Sequence, residues 1–316
     1  MFISEKETIE FLQNCDNIYI FTHRSPDGDC IGTGFALHDF FRRTGRRSAV
    51  LCSDNFPDKF KFITDTENDS DFTPEVFITV DVADKKLMGK YEKLYGDKIN
   101  LCIDHHVSNK DYAERTFLKA DDAAACQVLY GLFRTMGFEL SDYSAACIYT
   151  GISTDTGCFR YENANAETHI IAGEIMSSHN LNYAEINRQM FEIKSKARMT
   201  LESNICNIME EYLDGKLVIV AVTADMVQKW GIVSGELDGV ASITVQLEGT
   251  EVGVFVKERE DGTFRCSFRS AGSVNVSEIC QTFGGGGHAK AAGCTIDGNI
   301  ESAKTQIIEA VRKALT

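Results

Sequence analysis

The chain has 316 residues, comfortable for two domains and long for one core, with 43% hydrophobic and 25% charged residues, the balance of an ordinary globular protein. Its formal net charge of -15 argues against a grip on long nucleic acid, which needs a basic face to neutralise phosphates, but leaves room for a small phosphorylated substrate in a local pocket. No run reaches the ~18 apolar residues that span a bilayer. The N-terminal stretch MFISEKETIEFLQNC carries acidic residues and no basic-then-apolar run, so no signal peptide is expected and the expected location is the cytoplasm. The 11 cysteines are odd in number, form no C-x-x-C and sit partly in apolar runs, which predicts small buried free thiols in a reducing compartment.

Short apolar runs alternate with helical patterns through the first 190 or so residues. NIYIFT predicts a strand, followed by a helix from about Ile31 to Arg43. RSAVLCS, EVFITV and INLCI predict further strands, and AACQVLYGLFRTMG and DYSAACIYTGIST predict helices. Alternation of this kind implies an α/β domain, a mostly parallel sheet with helices on both faces, over residues 1–194. SKARMTLESNICNIMEEYLDG reads as one long helix over 195–215, linking to a smaller α+β domain over 216–316. That second domain opens with KLVIVAVT. SITVQLEGTEVGVFVKE and TFRCSFRS follow and are joined through REDGT, whose Asp-Gly is a hairpin signal. The helix ESAKTQIIEAVRKAL closes the chain.

Acidic groups gather where the predicted parallel strands end. Asp27 and Asp29 follow the first strand and His23, Asp81 follows EVFITV, and Asp104, His105 and His106 follow INLCI. Asp155 arrives from the end of a helix. The carboxyl rim of an open parallel sheet is where ligands bind. A lone Asp after a strand is usually a cap or turn residue, and Asp84, Asp121 and Asp122 are read that way. Carboxylates combined with imidazoles suit a borderline-hard divalent cation, manganese first, with magnesium or cobalt able to substitute. Asp27, Asp29, Asp81 and Asp155 bring four negative charges, which a pair of divalent cations cancels and a single one does not.

These motifs, in this order, resemble those of the DHH phosphoesterases: DGD after a strand, an isolated Asp after a later one, DHH at 104–106 and TDTG at 154–157. FRCSFRS and GGGGHAKAAG resemble the hallmark of the C-terminal domain associated with that family. Chain length and domain pairing are most similar to its NrnA-type oligoribonucleases, which also remove the 3'-phosphate from adenosine 3',5'-bisphosphate (pAp). The resemblance implies two manganese ions, one held by His23, Asp27 and Asp81 and the other by Asp29, Asp81, His105 and Asp155, with Asp81 bridging. Asp104 would orient a neighbouring imidazole, and His106 would face the substrate phosphate as a proton donor. Against the commonest form of the first motif, Cys30 replaces an alanine and Thr33 stands where serine is frequent. Cys30 is read as packing against the sheet rather than as a soft ligand.

Two metals can acidify a water and polarise a phosphoryl oxygen, and the substrate phosphate then needs further positive groups. Gly284, Gly285, Gly286 and Gly287 offer an anion nest, with His288 at its end and Arg269 and Ser270 on a strand beside it. Arg160, just beyond Asp155, is a further phosphate-binding candidate. The linking helix would act as a hinge closing the domains around a short substrate. Such a cleft favours nucleotides and oligonucleotides of a few residues, with no long duplex and no membrane partner, and the resemblance implies short oligoribonucleotides (nanoRNA) and pAp as the substrates. Hydrolysis of cyclic di-AMP or pApA is the alternative, and a non-catalytic nucleotide sensor the reading from another class. The resemblance also implies a homodimer. His38, His169 and His179 have no motif context and are read as structural, His38 and His179 on the surface or a helix face. Trp230 is read as packing the small domain.

Overall fold

The computed structural model describes residues 1–232, 237, 239–259 and 261–315. The chain divides into two compact units, Met1–Ile193 and Lys194–Thr316. In the first unit the strands are β1 (Ile18–Phe21), β2 (Ser48–Leu51), β3 (Val76–Val80), β4 (Leu101–Asp104) and β5 (Arg115–Leu118). Its helices are α1 (Glu5–Asn14), α2 (Gly28–Arg43), α3 (Lys61–Thr64), α4 (Glu92–Tyr95), α5 (Ala125–Met136), α6 (Asp142–Asp155), α7 (Ala166–Ser178) and α8 (Tyr183–Asn187).

The strands form one sheet in the order β2-β1-β3-β4-β5, parallel at every pairing. Sheets of this kind are covered on both faces, which is why their strands read as near-continuous apolar runs. Here Ile18, Ile20, Ile78, Val80, Leu101 and Ile103 join α2, α5 and α6 in one core. Phe21, Val82, Met88 and Cys102 form a second cluster. The strand order reverses at β1, whose neighbours are β2 and β3, so the crevice at the carboxyl ends of β1 and β3 is the topological switch point. The helix after β1 starts at Gly28, a turn earlier than the periodicity suggested, because Asp27 serves as its N-cap and accepts from the Asp29 and Cys30 N–H groups, each at 3.1 Å.

The second unit contains β6 (Met209–Tyr212), β7 (Leu217–Val222), β8 (Val252–Glu258), β9 (Phe264–Ser270), β10 (Gly286–His288) and β11 (Ala291–Ile296). Its helices are α9 (Lys196–Ile208), α10 (Ala224–Trp230), α11 (Val240–Ile243), α12 (Val276–Gln281) and α13 (Ile300–Ala314). The sheet order is β10-β11-β9-β8-β7-β6, antiparallel except at β7–β8. One face packs Val254, Cys266, Phe268 and Cys294 against Cys280 of α12 and Ile307 of α13. The other packs Val220, Val222 and Phe255 against Leu201 and Ile205 of α9 and Val240 and Ala241 of α11.

Several expectations are corrected. The helix expected over 195–215 ends at Ile208. Met209–Tyr212 instead form an edge strand on β7, with Leu213, Asp214 and Gly215 at positive φ making the turn. Helical spacing alone did not reveal that these residues have a strand to pair with. The run SITVQLEGTEVGVFVKE opens in α11 and becomes strand only at Val252. The hairpin joining β8 to β9 is present, with Glu258 opposite Phe264 and Gly262 at φ +78; Glu260 lies outside the described residues. His38 lies on a helix, α2, one of the two places expected, and is buried there. Its ring nitrogens meet Ser48 Oγ at 2.8 Å and the Glu67 carbonyl at 2.9 Å, so it ties α2 to β2 and the following loop. All 11 cysteines are free thiols, eight of them buried. Among the described residues no helix is long and apolar enough to cross a membrane.

Candidate active site

The rim of the first sheet gathers the acidic motifs into one cluster. His23 follows β1, and its Nδ1 meets the Arg24 carbonyl at 2.8 Å, which leaves Nε2 facing Asp27 Oδ1 and Asp81 Oδ2, each at 3.6 Å. His105 follows β4 and is held in the same way: Nδ1 meets the Asp122 carbonyl at 3.1 Å. Its Nε2 faces Asp29 Oδ2 at 3.8 Å, and Asp81 Oδ1 and Asp155 Oδ2 at 3.6 Å each. A hydrogen bond on one ring nitrogen is the device that presents the other as a lone pair.

Asp29 is 1% exposed. Its carboxylate accepts from the backbone N–H groups of Ala125 at 2.6 Å and Cys126 at 2.8 Å. Those are the first N–H groups of α5, whose own N-cap residue, Ala124, has no side chain able to cap. Asp29 therefore caps a helix distant in sequence while turning an edge toward His105. Asp81, 3% exposed, sits at φ +58, a left-handed conformation that costs a non-glycine residue about 1 kcal/mol or more. Its Oδ1 is buried and has no hydrogen-bond partner among the described residues. A buried carboxylate oxygen without a donor is expensive unless a cation compensates it.

Ligand atoms of His23, Asp27, Cys30 and Asp81 lie within 4.8 Å of one another, as do those of Asp29, His105 and Asp155, and those of Asp81, His105 and His106. Asp81 is common to two of these groups and adjoins the third through His105. The donor set of carboxylates and imidazoles, with one orphaned oxygen at its centre, fits divalent cations. The residues that the sequence assigned to a metal, His23, Asp27, Asp29, Asp81, His105 and Asp155, are thus brought together. Cys30 was read as packing. It is fully buried, yet its Sγ belongs to the His23 group, and the sulfur donates to the Asp27 carbonyl at 3.6 Å.

Electrostatics carry the same message. Burial first, and then the neighbouring Asp81, push the Asp29 carboxyl up to about 7. Burial, Asp29 and Asp81 push Asp155 up to about 9. Burial works against a charged His23 ring, but Asp27 and Asp81 outweigh it and raise its pKa. Without cations the cluster must hold protons.

Asp104 is fully buried and is hydrogen-bonded to an imidazole, that of His106. Oδ1 accepts from His106 Nδ1 at 2.8 Å and from the His105 N–H at 2.8 Å, while Oδ2 accepts from Asn109 Nδ2 at 2.6 Å. The Asp104 hydrogen bond is the main reason His106 is raised to about 9. Sequence reasoning missed Asn109 and the Asp122 carbonyl: Asp122 was read as a turn residue, and backbone acceptors carry no side-chain signal. Asp84 is a helix cap, accepting from Lys86 N at 3.0 Å. Arg160 is exposed, its Nε donating to the Gly157 carbonyl at 2.6 Å. It follows Gly157, Cys158 and Phe159, all at positive φ, so it ends a strained turn that leaves Asp155.

The second unit holds the other candidates. Arg269 lies opposite Ala291 on β11, which is itself opposite His288 on β10, so Arg269 and His288 share a sheet face. Ser270, one residue on, faces the other way, and its Oγ donates to the Gly272 carbonyl at 3.2 Å. Of the glycines, Gly284 is at φ +72 and Gly287 at φ +147. The N–H groups of Gly284 and Gly285 are donated to the carbonyls of Gln281 and Cys280 of α12, so they end that helix, while Gly286 and Gly287 lie in β10 opposite Gly293 and Ala292 of β11, a strand pairing rather than the nest expected of this run.

Residues 17–152 match the DHH family, N-terminal domain, and residues 214–316 match the DHHA1 domain. The bifunctional oligoribonuclease and PAP phosphatase NrnA of Thermus thermophilus is 30% identical, covering 95% of this chain and 90% of that protein. The chain belongs to the DHH family of phosphoesterases. The Bacillus subtilis protein of the same name is 25% identical over 92% of each chain. The crystal structure of an exopolyphosphatase-related protein from Bacteroides fragilis shares the fold, with a TM-score of 0.89 at 24% identity, covering 98% of this chain and 95% of that one. The acidic rim of the first unit is where this DHH protein carries its motifs, DGD at 27–29 and DHH at 104–106.

Proposed function

We propose that this DHH protein hydrolyses short oligoribonucleotides and the 3'-phosphate of pAp, with two divalent cations, manganese by preference, held by His23, Asp27 and Asp81 and by Asp29, Asp81, His105 and Asp155. The observation that carries the reading is Asp81, buried, strained and with Oδ1 unpartnered, adjoining every one of the ligand groups. Its relatives named as oligoribonuclease and PAP phosphatase, aligned over nearly the whole chain, support the substrate class.

When bound, such cations neutralise the carboxylates and lower the pKa of an attacking water. The chain's own residues do the rest. His23 and His105 present Nε2 because Arg24 and Asp122 carbonyls hold their other nitrogen. Asp104 holds the Nδ1 proton of His106, so His106 directs Nε2 to the substrate and delivers a proton to the departing sugar oxygen. Within the first unit Arg160 is the candidate for binding a phosphate, and within the second unit the candidates are Arg269 and His288, which share a sheet face.

The test is a turnover panel with manganese: pAp, pApA, cyclic di-AMP and RNA of two to five nucleotides. Hydrolysis of pAp and of the RNAs is expected. Turnover of cyclic di-AMP alone would replace this reading with the cyclic dinucleotide one. No turnover of any, with tight nucleotide binding, would make the chain a sensor.

A further inference from the structure

One buried thiol at the rim of the first sheet has no part in the chemistry proposed above. Cys30 is fully buried and sits in the first turn of α2. In a helix each Cα–Cβ bond tilts toward the N-terminus, so this side chain is turned back to the rim. The Cys30 N–H donates to Asp27 Oδ1 at 3.1 Å and its Sγ to the Asp27 carbonyl at 3.6 Å. Sγ also lies within 4.8 Å of the ligand atoms of His23, Asp27 and Asp81. Those three are themselves spaced for one ion: His23 Nε2 stands 3.6 Å from Asp27 Oδ1 and 3.6 Å from Asp81 Oδ2. Donors about 2.0–2.3 Å from a tetrahedral cation stand roughly 3.3–3.8 Å from one another.

A buried cysteine is ordinarily a small apolar side chain, and Cys30 does pack in the core of the first unit. Two further observations point to a ligand. Asp81 is 3% exposed, and its Oδ1 has no hydrogen-bond partner among the described residues, so the cluster that Cys30 adjoins calls for a cation. The sulfur is also confined to one side of that cluster. Asp29 with His105 and Asp155, and Asp81 with His105 and His106, offer nitrogen and oxygen alone. We propose that Cys30 is a fourth donor of the His23–Asp27–Asp81 position and makes that position thiophilic. As the cation enters, the Sγ–H proton is released to solvent and the sulfur–metal bond takes its place. One thiolate, one imidazole and two carboxylates are a tetrahedral set of the kind zinc fills. Zinc outranks manganese at most nitrogen and oxygen sites, so the mark of the sulfur is the size of that preference rather than its direction. The two positions of one site thus rank cations differently, the first favouring a thiophilic ion and the second a harder one. The inference deepens the function proposed above and rests on its two-cation part.

Two measurements on the full-length protein, stripped of metal and reloaded, test this. With one equivalent of zinc on the wild type, X-ray absorption at the zinc edge is expected to show one sulfur among nitrogen and oxygen donors. A shell without sulfur would overturn the proposal. A shell with two or more would do the same, since it would put the zinc on thiols elsewhere in the chain. The second measurement is calorimetric titration of zinc and of manganese into the wild type and into Cys30→Ser, whose hydroxyl is close to the thiol in shape and a poor zinc ligand. The zinc-to-manganese affinity ratio is expected to fall roughly tenfold or more in the variant, at least the loss that removing a group behind a metal ligand causes. Zinc and manganese affinities that fell equally, or that did not fall, would leave Cys30 as packing and overturn the proposal. A wild type that binds neither zinc nor manganese would instead sink the two-cation reading itself.

Discussion

Asp81 carries three burdens on one side chain: it is buried, its backbone is left-handed, and one carboxylate oxygen has no hydrogen-bond partner among the described residues. Each costs stability, and asparagine relieves two of them. An amide has no charge to bury, and Asn tolerates a left-handed backbone better than most residues. Asp81→Asn is therefore expected to abolish manganese-dependent turnover of pAp while the metal-free protein melts no lower than the wild type. A metal-free Tm that dropped by several degrees would show that Asp81 is structural. Asp104 is the contrasting case. Its carboxylate accepts from His106, Asn109 and backbone N–H groups, so a positioning role is expected of it rather than coordination. Asp104→Asn should keep the fold but lose about 10–100-fold in kcat, the usual scale for a group that orients an active-site imidazole. Unchanged kcat in that variant would remove His106 from the chemistry.

At the scale of elements, the site depends on how closely α2 meets α5 and α6. A Cβ on Gly28 would lie 2.3 Å from Thr154 Oγ1, and one on Gly151 would lie 2.2 Å from Cys126 Sγ and 2.8 Å from Asp29 Oδ1. Gly151 is what lets α6 pass beside the carboxylate that caps α5. Gly151→Ala is expected to destabilise by about 1–3 kcal/mol, the range for overpacking, and to cut metal affinity by displacing Asp29. Cys126→Ala in the same chain should recover part of the melting temperature. No rescue would mean the strain lies elsewhere. These contacts mark the limit of what the sequence made legible. The parallel sheet, the acidic rim and the hairpin after β8 could be read because each is a local pattern: a β-branched run, a residue just past a strand, an Asp-Gly. Asp29 as the cap of a helix nearly a hundred residues away could not. Nor could the Asp122 carbonyl behind His105, the burial of His38 or the pairing of Met209–Tyr212 with β7. Each is a partnership between distant segments, and in each the tertiary partner decided a residue whose own propensity was neutral or pointed elsewhere.

For the whole molecule, the cluster ties stability to pH and to metal. The unfolded chain titrates Asp29 and Asp155 near the ordinary 3.8; in the folded, metal-free protein they are raised to about 7 and about 9. A carboxyl raised on folding favours the folded state while it keeps its proton. Its contribution is fully present below about 3.8 and is lost as pH climbs toward the folded value, because the unfolded chain then gives up the proton first. Between about pH 4 and 9 these two groups therefore pull the stability of the metal-free protein down as pH rises, against the broad rise that paired carboxylates elsewhere produce at the acid end. Cations in the site replace those protons, since they compensate the ionised carboxylates directly, and binding only to the folded state adds stability by mass action. The expected result is a melting temperature that falls from pH 6 to pH 9 in chelator and stays level or rises over the same range with manganese. The gap between the two curves should be widest at pH 9. Parallel curves would mean that Asp29 and Asp155 do not exchange protons for metal. In Asp155→Asn the chelator curve should flatten, because the group raised furthest is gone. If it kept the wild-type slope, the pH sensitivity would belong to carboxylates outside the rim.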